Sequence, residues 1–222
     1  MRIFVTNDDG IGAEGIRQLV AALAPYGAVY VFAPDSQKSA CGHGITVNRP
    51  IDVARVEFPG AALAYTVSGT PADCVKLGLR LLREQGIRVD FVFSGINHGS
   101  NLGTDTLYSG TVSGAIEGVI NGIPSVALSI YAGSPKDFGP ARAMAAQALQ
   151  LAQGRLDGGT VLNINLPDAS AEEIRGIRVT RLGAREYDEE FQPREGENGG
   201  TSYVYSGEPI VYAGLSEDID VI

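Results

Sequence analysis

Oxygen-bearing side chains follow three separate hydrophobic runs of the sequence, at the points where the predicted strands end. Asp8 and Asp9 follow the first run, Ser39 lies in the loop after the second, and Asn97 follows the third. Because ligands of open parallel sheets bind beyond the carboxyl ends of the strands, we expect these side chains to converge. Two carboxylates, a hydroxyl and an amide oxygen suit a hard divalent cation such as Mg²⁺ or Mn²⁺.

The adjacent carboxylates of Asp8 and Asp9 have a second interpretation. In a partly desolvated cleft they would repel each other unless a cation lay between them. However, an aspartate after a strand often caps the next helix, while its neighbour faces water. The pair alone leaves both interpretations open, and the other two loops favour the metal.

A phosphate site is indicated at Ser109, Gly110 and Thr111, which precede a predicted helix with no Lys or Arg in its first turn. Backbone N–H groups at a helix N-terminus bind anions without a cationic side chain. A plain N-cap is the alternative for Ser109 or Thr111. His43, between Gly42 and Gly44, could contact an anion or give a proton to a leaving oxygen.

Gly10, Gly12 and Gly15 spell G-x-G-x-x-G between a predicted strand and helix, and Asp35 ends the next strand. This spacing is typical of dinucleotide-binding enzymes, so an NAD(P)-dependent oxidoreductase remains an alternative. Against it, the two carboxylates that precede Gly10 would be unfavourable beside a pyrophosphate without a metal.

The hydrophobic pattern that must position these residues alternates between strand and helix. It predicts strands at residues 2–6, 28–33, 65–67, 89–93, 125–130 and 160–165, and helices at 14–23, from 71 to near 86, at 111–121 and at 140–153. Residues 94–108 are predicted to be a loop. The order indicates an α/β fold with a parallel sheet and helices on both faces.

Beyond Pro167 the pattern changes. Residues 177–181 and 202–205 resemble strands, and the charged, glycine-rich segment 183–200 is interpreted as a projecting hairpin or arm. We therefore divide the chain into a core at 1–182 and an arm at 183–222. Since projecting hairpins are easily exchanged between subunits, residues from about 180 to 222 are expected to form oligomer contacts.

Composition excludes several classes of protein. The chain has 222 residues and a formal charge of −9, which argues against binding to polymeric nucleic acid. Residues 3–6 alone separate Arg2 from Asn7, which is too short for a signal-peptide core, and the uncharged stretch 118–135 is interrupted by Pro and Ser. A cytoplasmic protein with no membrane span is expected. Cys41 and Cys74 are interpreted as ordinary small residues.

Five blocks, in order, resemble the SurE family of metal-dependent nucleotidases. They are TNDDGI at 6–11, APDSQKSACGHGIT at 33–46, GTPADCV at 69–75, SGINHGSNLG at 94–103 and SGTVSGAIEG at 109–118, with NINLP at 163–167 as a weaker extension. The resemblance implies a Rossmann-like, doubly wound, mainly parallel sheet. It also implies homodimers or homotetramers built with C-terminal elements.

The resemblance further implies hydrolysis of nucleoside 5′- or 3′-monophosphates, with breadth toward short polyphosphate, and one divalent metal ion. It places the metal on Asp8, Asp9, Ser39 and Asn97, with Asp8 and Asp9 as the catalytic residues. The predicted substrate-binding residues are Asn7, Gly42, His43, Asn101, Ser109, Gly110 and Thr111.

Two catalytic mechanisms and one non-catalytic function fit these residues. A metal-activated water attacking in line needs no covalent intermediate. Alternatively, Asp8 or Asp9 acts as a nucleophile, although the chain lacks the spaced D-x-D of aspartyl-phosphate enzymes. The third is a nucleotide sensor that does not turn over.

Overall fold

The computed structural model of the chain describes residues 1–131, 137–196, 199–210 and 219–220, which fall into two compact units. The first comprises Met1–Asn101 and Thr106–Gly176, and the second comprises Leu102–Asp105 and the described residues from Ile177 onward. The sequence interpretation placed the core boundary after residue 182, and that division into folding units stays a prediction.

The first unit alternates strands and helices, as the hydrophobic pattern predicted. Its described elements are β1 (Arg2–Thr6), α1 (Glu14–Leu23), β2 (Ala28–Pro34), β3 (Val53–Arg55), β4 (Leu63–Val67), α2 (Pro71–Glu84), β5 (Phe91–His98), α3 (Gly110–Ile120), β6 (Ser125–Tyr131), α4 (Gly139–Ala152) and β7 (Val161–Pro167). A short 3₁₀ helix occupies Ala24–Tyr26. Another, Gly103–Leu107, begins among residues of the second unit and ends in the first.

These strands form one sheet in the order β3-β4-β2-β1-β5-β6-β7. Every neighbouring pair is parallel except β3 with β4. The predicted α/β fold with a mainly parallel sheet is therefore confirmed. β3 was not predicted, because it is a three-residue edge strand whose side chains are mostly exposed.

The two faces of the sheet bury separate hydrophobic clusters. Ile3 and Val5 of β1 pack in the cluster that contains residues of α1 and α4, whereas Phe4, between them, packs with residues of α2. Successive side chains of a strand point to opposite faces, so helices cover both sides of the sheet. Strand β1 is thereby buried on both faces, and its carboxyl end opens at the predicted site.

Strand β5 is longer than predicted. It continues through Ser94 to His98, where a loop was expected, and its register with β6 shifts between Gly95 and Asn97. The loop prediction was wrong for these residues because polar side chains were taken as the end of the strand. Asn97 consequently lies within the strand, next to a register shift that changes the direction of the chain.

In the second unit, β9 (Tyr187–Glu195) and β10 (Thr201–Pro209) form an antiparallel hairpin, and β8 (Arg181–Leu182) pairs with β11 (Ile219–Asp220). The predicted C-terminal hairpin is confirmed, although β9 lies within the segment that showed no period. The strand predicted at 177–181 was wrong except for Arg181. Ile177 and Val179 are 63% and 91% exposed, so their β-branched side chains lack the packing that makes a strand stable.

Among the residues that the structure describes, no helix is both long and apolar enough to cross a membrane.

The glycines of the G-x-G-x-x-G pattern have different structural roles. Gly10 has a φ of +94°, a backbone conformation that side chains disfavour. Gly15, in α1, lies so close to β5 that a β-carbon would clash with the carbonyl oxygen of Ile96, whereas a β-carbon on Gly12 would meet nothing within 4 Å. Close packing of helix on strand explains the third glycine without any bound dinucleotide.

We predict that Gly15→Ala lowers the free energy of unfolding by about 1–3 kcal/mol, since the added methyl group must displace α1 from β5. Gly12→Ala is the matched control, with an expected change within about 0.5 kcal/mol. Urea unfolding followed by circular dichroism measures both. Equal losses for the two variants would contradict this packing role.

Candidate active site

Asp8 lies beyond the end of β1 and is only 4% exposed. The hydroxyl group of Thr111, on α3, donates a hydrogen bond to Oδ1 of Asp8. Burial raises the pKa of Asp8 to about 6; the Thr111 hydrogen bond opposes this rise, and repulsion from Asp9 adds to it. Asp8 is thus a carboxyl group for which the fold supplies too little stabilisation of the charged form.

Asp9, the next residue, is half-buried and also has a raised pKa. Its pKa is raised by burial, against the opposing effect of His98. The backbone N–H of His98 donates to Oδ2 of Asp9 at 3.4 Å, a long hydrogen bond. Two adjacent carboxyl groups with raised pKa values are the electrostatic setting in which a cation binds favourably.

Ser39 and Asn97 lie beside residues that bond directly to the two aspartates. Lys38, which precedes Ser39, donates its backbone N–H to the carbonyl oxygen of Asp8 at 2.7 Å, and His98 follows Asn97. The side-chain amide of Asn97 donates to the carbonyl oxygen of Gly99 at 2.8 Å, which leaves its amide oxygen as a potential ligand atom. The fold therefore brings the loop with Ser39 and the end of β5 with Asn97 to Asp8 and Asp9, and ligation itself stays a prediction.

The donor set fits a hard divalent cation. Asn7 is fully buried, and its side-chain amide donates to the carbonyl oxygen of Gly10 at 2.8 Å, but its Oδ1 atom is buried without a hydrogen-bond partner. Within the described ranges, no three His, Cys, Asp or Glu side chains cluster as a metal site. A cation here would thus depend on hydroxyl and amide oxygens as well as on the two carboxylates, as Mg²⁺ and Mn²⁺ tolerate.

The N-terminus of α3 packs directly against Asp8. A β-carbon on Gly110 would lie 2.7 Å from the β-carbon of Asp8, so glycine is required there. The Ser109 hydroxyl oxygen accepts a hydrogen bond from the backbone N–H of Val112 at 3.1 Å, which makes Ser109 the N-cap of the helix. Ser109 thus has the capping role of the alternative interpretation, and Thr111 bonds to Asp8. Phosphate binding by Ser109, Gly110 and Thr111 stays a prediction.

Asn101 is 7% exposed and anchors the segment that follows β5. Its backbone N–H donates to Oδ1 of Asn165 at 2.8 Å, its carbonyl oxygen accepts from the side chain of Asn163 at 2.9 Å, and its own amide donates to Ser129 at 2.9 Å. These contacts explain the NINLP block as a partner of this segment. A substrate contact of Asn101 stays a prediction.

His43 is positioned by α3. The loop before it is fixed by Gly42, whose φ is +56° and whose N–H donates to the carbonyl oxygen of Tyr108 at 2.9 Å. Nε2 of His43 lies 3.0 Å from Oε2 of Glu117, a buried residue that also contacts Lys76. Sequence reasoning missed Glu117 and Lys76, although Glu117 is the only charged residue in the small-residue helix GTVSGAIEGVI.

Comparison with known proteins identifies the family. Residues 3–189 match the family described as Survival protein SurE. The chain belongs to the SurE family. Its resemblance to SurE proteins, seen first in five sequence blocks, is thereby confirmed.

Individual SurE proteins match over almost the whole chain. A protein from Syntrophomonas wolfei named 5′-nucleotidase SurE is 45% identical over 223 residues, covering 100% of this chain and 83% of the relative. One of the same name from Picosynechococcus is 47% identical and covers 95% and 79%. The crystal structure of the SurE protein from Aquifex aeolicus aligns with a TM-score of 0.79 at 40% identity, covering 94% of this chain and 83% of that one.

The raised pKa of Asp8 leads to a prediction about this SurE chain without metal. Asp8 binds its proton more tightly in the folded state, so its contribution to stability is fully present below about pH 4 and is lost as the pH rises through about 6. In EDTA at pH 7, Asp8→Asn should therefore raise the free energy of unfolding by up to about 3 kcal/mol, and the difference should vanish by pH 4. Urea unfolding across this pH range measures it.

Asp73→Asn is the matched control with the opposite sign. Burial acts to raise the pKa of Asp73, but hydrogen bonds from Thr46 and Thr70 outweigh it and lower that pKa. Asp73 therefore stabilises the fold above its unfolded pKa, so the variant should lose stability at pH 7 and converge with the parent in acid. Identical pH profiles for the Asp8 variant and the parent would contradict the assignment of Asp8 as a destabilising buried carboxylate.

Proposed function

We propose that this SurE-family chain is a divalent-metal-dependent phosphomonoester hydrolase that releases phosphate from nucleoside 5′-monophosphates. The observation that carries the proposal is the pair of adjacent carboxyl groups of Asp8, which is buried beside the N-terminus of α3, and Asp9, which is half-buried; both have raised pKa values. Membership of a family whose relatives are named 5′-nucleotidase supports the enzyme class, a phosphoric monoester hydrolase. Activity on 3′-monophosphates and short polyphosphate belongs to the same proposal.

One divalent ion, Mg²⁺ or Mn²⁺, would be held by Asp8, Asp9, Ser39 and Asn97. When bound, it would polarise a phosphoryl oxygen and make water a stronger nucleophile at neutral pH. The cation would also oppose both causes of the raised pKa of Asp8, burial and the smaller repulsion from Asp9, so binding of metal and ionisation of the aspartates support each other.

The N-terminus of α3 would bind the phosphate. The N–H groups of Gly110 and Thr111 belong to the first turn of the helix, where such groups lack intrahelical acceptors. The Ser109 hydroxyl oxygen already accepts from Val112, so its proton remains for a phosphate oxygen. The Thr111 hydroxyl group is used differently, because it orients Asp8. Together these groups would hold the phosphoryl group for in-line attack by water.

The other mechanisms are less well supported. Asp8 as a nucleophile would have to attack through Oδ2, because Oδ1 accepts the hydrogen bond from Thr111, and Gly110 packs closely on that side of the carboxyl group. The oxidoreductase alternative rested on the glycine pattern, which helix packing at Gly15 explains, and SurE membership favours the nucleotidase. A nucleotide sensor would use the same site, and it is distinguished from an enzyme by turnover.

We predict that the purified protein releases phosphate from adenosine 5′-monophosphate with Mg²⁺ or Mn²⁺, and that EDTA abolishes this activity. Asp9→Asn should lower kcat/KM at least about 10³-fold, because it removes a charged ligand from the proposed metal site. A malachite-green assay over a panel of 5′- and 3′-monophosphates and tripolyphosphate measures both, with metal affinity followed by calorimetry.

Asp90→Asn is the matched control, since Asp90 precedes β5 at the opposite end of the strand and contacts Arg2 at the surface. It should leave kcat/KM within about twofold. Undiminished turnover in EDTA, or in the Asp9 variant, would contradict the metal site. Nucleotide binding with no phosphate release under any metal would identify a sensor.

We also propose that the chain forms a homodimer or homotetramer through residues from about 180 to 222. In the β9–β10 hairpin, Tyr205 pairs with Phe191 and Tyr203 pairs with Pro193, so the aromatic residues share one face. Phe191, Tyr203 and Tyr205 are 61%, 63% and 52% exposed. An exposed aromatic face of this kind is typical of a protein interface.

Replacing Phe191 and Tyr203 with serine should lower the oligomeric state, because it removes aromatic surface that the assembly would bury. Size-exclusion chromatography with multi-angle light scattering at micromolar concentration measures the mass. A double variant on the opposite face, Gln192→Ser with Ser206→Ala, is the control and should assemble like the parent. A monomeric parent, or an unchanged assembly of the aromatic variant, would contradict the hairpin as the contact.

A further inference from the structure

Glu117 is an acidic residue buried inside the protein, in the middle of α3. Its side chain is 3% exposed and has three polar partners. Oε1 accepts hydrogen bonds from Nζ of Lys76 at 3.2 Å and from the side-chain amide of Asn121 at 3.2 Å. Oε2 lies 3.0 Å from Nε2 of His43. A buried carboxylate with this many donors is held in one orientation.

The division of partners between the two oxygens determines how His43 is held. Because Lys76 and Asn121 both donate to Oε1, the carboxylate presents Oε2 to the imidazole as an acceptor. Nε2 of His43 must then carry the hydrogen. The other ring nitrogen, Nδ1, is left for a different partner, and the histidine side chain is 29% exposed.

His43 is placed at the same helix as the proposed phosphate site. Glu117 lies two turns from the N-terminus of α3, about 9 Å beyond Thr111 along the axis. Side chains on a helix tilt toward its N-terminus, so the Glu117 carboxylate reaches back toward that end. Gly42, which precedes His43, bonds to Tyr108 immediately before the N-cap. The loop with His43 therefore runs beside the helix end that would bind phosphate.

We propose that Glu117 is a positioning residue for His43, and that His43 donates the proton to the leaving nucleoside oxygen. The proposal rests on the hydrolase function proposed above. As water adds to phosphorus and loses a proton to solvent, the bond between phosphorus and the nucleoside oxygen breaks. The electron pair stays on that oxygen, which takes the proton from Nδ1 of His43, and the imidazole regains a proton from solvent.

Glu117→Gln tests the orientation of His43 sharply. Lys76 and Asn121 would fix the amide oxygen at the Oε1 position, so the NH₂ group would face Nε2 of His43. A donor would then replace an acceptor, which excludes a proton on Nε2 and with it the doubly protonated ring. The variant changes hydrogen-bond polarity with almost no change of shape.

The catalytic test compares two substrates. The leaving group of adenosine 5′-monophosphate is the adenosine 5′-alkoxide, which needs a proton, whereas that of p-nitrophenyl phosphate is p-nitrophenolate, which is stable without one. We expect Glu117→Gln and His43→Gln each to lower kcat for the nucleotide about 10²-fold with KM within about twofold, and to lower kcat for p-nitrophenyl phosphate less than about threefold. Glu117→Asp, which keeps the charge, should recover part of the nucleotide activity.

The double variant separates positioning from structure. If Glu117 acts through His43, adding Glu117→Gln to His43→Gln should cost no further activity. The exposed Glu84, which pairs with Arg80 on α2, offers the matched control Glu84→Gln, with parental activity on both substrates. A further loss in the double variant, or equal losses for the two substrates, would overturn the proposal.

A spectroscopic measurement tests the positioning of His43 without turnover. If Glu117→Gln does not fold, the tautomer of the parent, assigned with the His43→Gln variant, still tests it. The chain has two histidines, so the His43→Gln variant assigns the imidazole ¹⁵N signals of both. In the parent, Nε2 of His43 should carry a hydrogen both in the neutral ring and in the doubly protonated ring that donates from Nδ1, whereas in Glu117→Gln only Nδ1 should carry one, with His98 unchanged. A parent with hydrogen on Nδ1 alone would overturn the positioning role. A parent that hydrolyses neither substrate would overturn the proposed function, whatever the tautomer.

Discussion

Asp8 sits where the central strand of the sheet meets the N-terminus of α3, and the arrangement of the site depends on how its charge is accommodated there. Burial raises the pKa of the carboxyl group, and the Thr111 hydrogen bond offsets only part of that rise. Gly110 allows the helix to approach because a β-carbon would strike Asp8. The strand, the helix and the small residues between them therefore create a deficit of positive charge that a cation would fill.

Helix α3 itself carries another buried carboxylate, Glu117, whose negative charge is stabilised in a different way from that of Asp8. Glu117 receives hydrogen bonds from Lys76 and Asn121 and contacts His43, so its charge is compensated by the protein's own side chains. Among the residues that the structure describes, Asp8 and Asp9 receive no comparable cationic contact beyond the influence of His98 on Asp9. This contrast separates a carboxylate that serves the structure and orients a neighbour from a pair suited to bind an external cation.

Both arrangements follow from the topology. Strand β1 has neighbours on both sides and helices on both faces, so the residues at its carboxyl end, Thr6, Asn7 and Asp8, are buried. The loop after β2 reaches Asp8 through Lys38, and the end of β5 reaches Asp9 through His98. The carboxyl ends of three neighbouring strands, β2, β1 and β5, thus bring polar groups together, while the hydrophobic clusters hold the strands in register.

Local patterns in the sequence determined much of this protein. Strand and helix periodicity predicted the mainly parallel sheet, and the five blocks indicated the SurE family, because buried parallel strands and motif spacing are properties of neighbouring residues. Contacts between distant residues were decided only by the tertiary structure. Thr111 had signals of both an anion site and a cap, and the fold turned it toward Asp8. Glu117 and Lys76 lie far apart in the chain and meet because α2 and α3 pack side by side. His43 joins them through the loop that Gly42 ties to Tyr108, and no periodicity reports either contact.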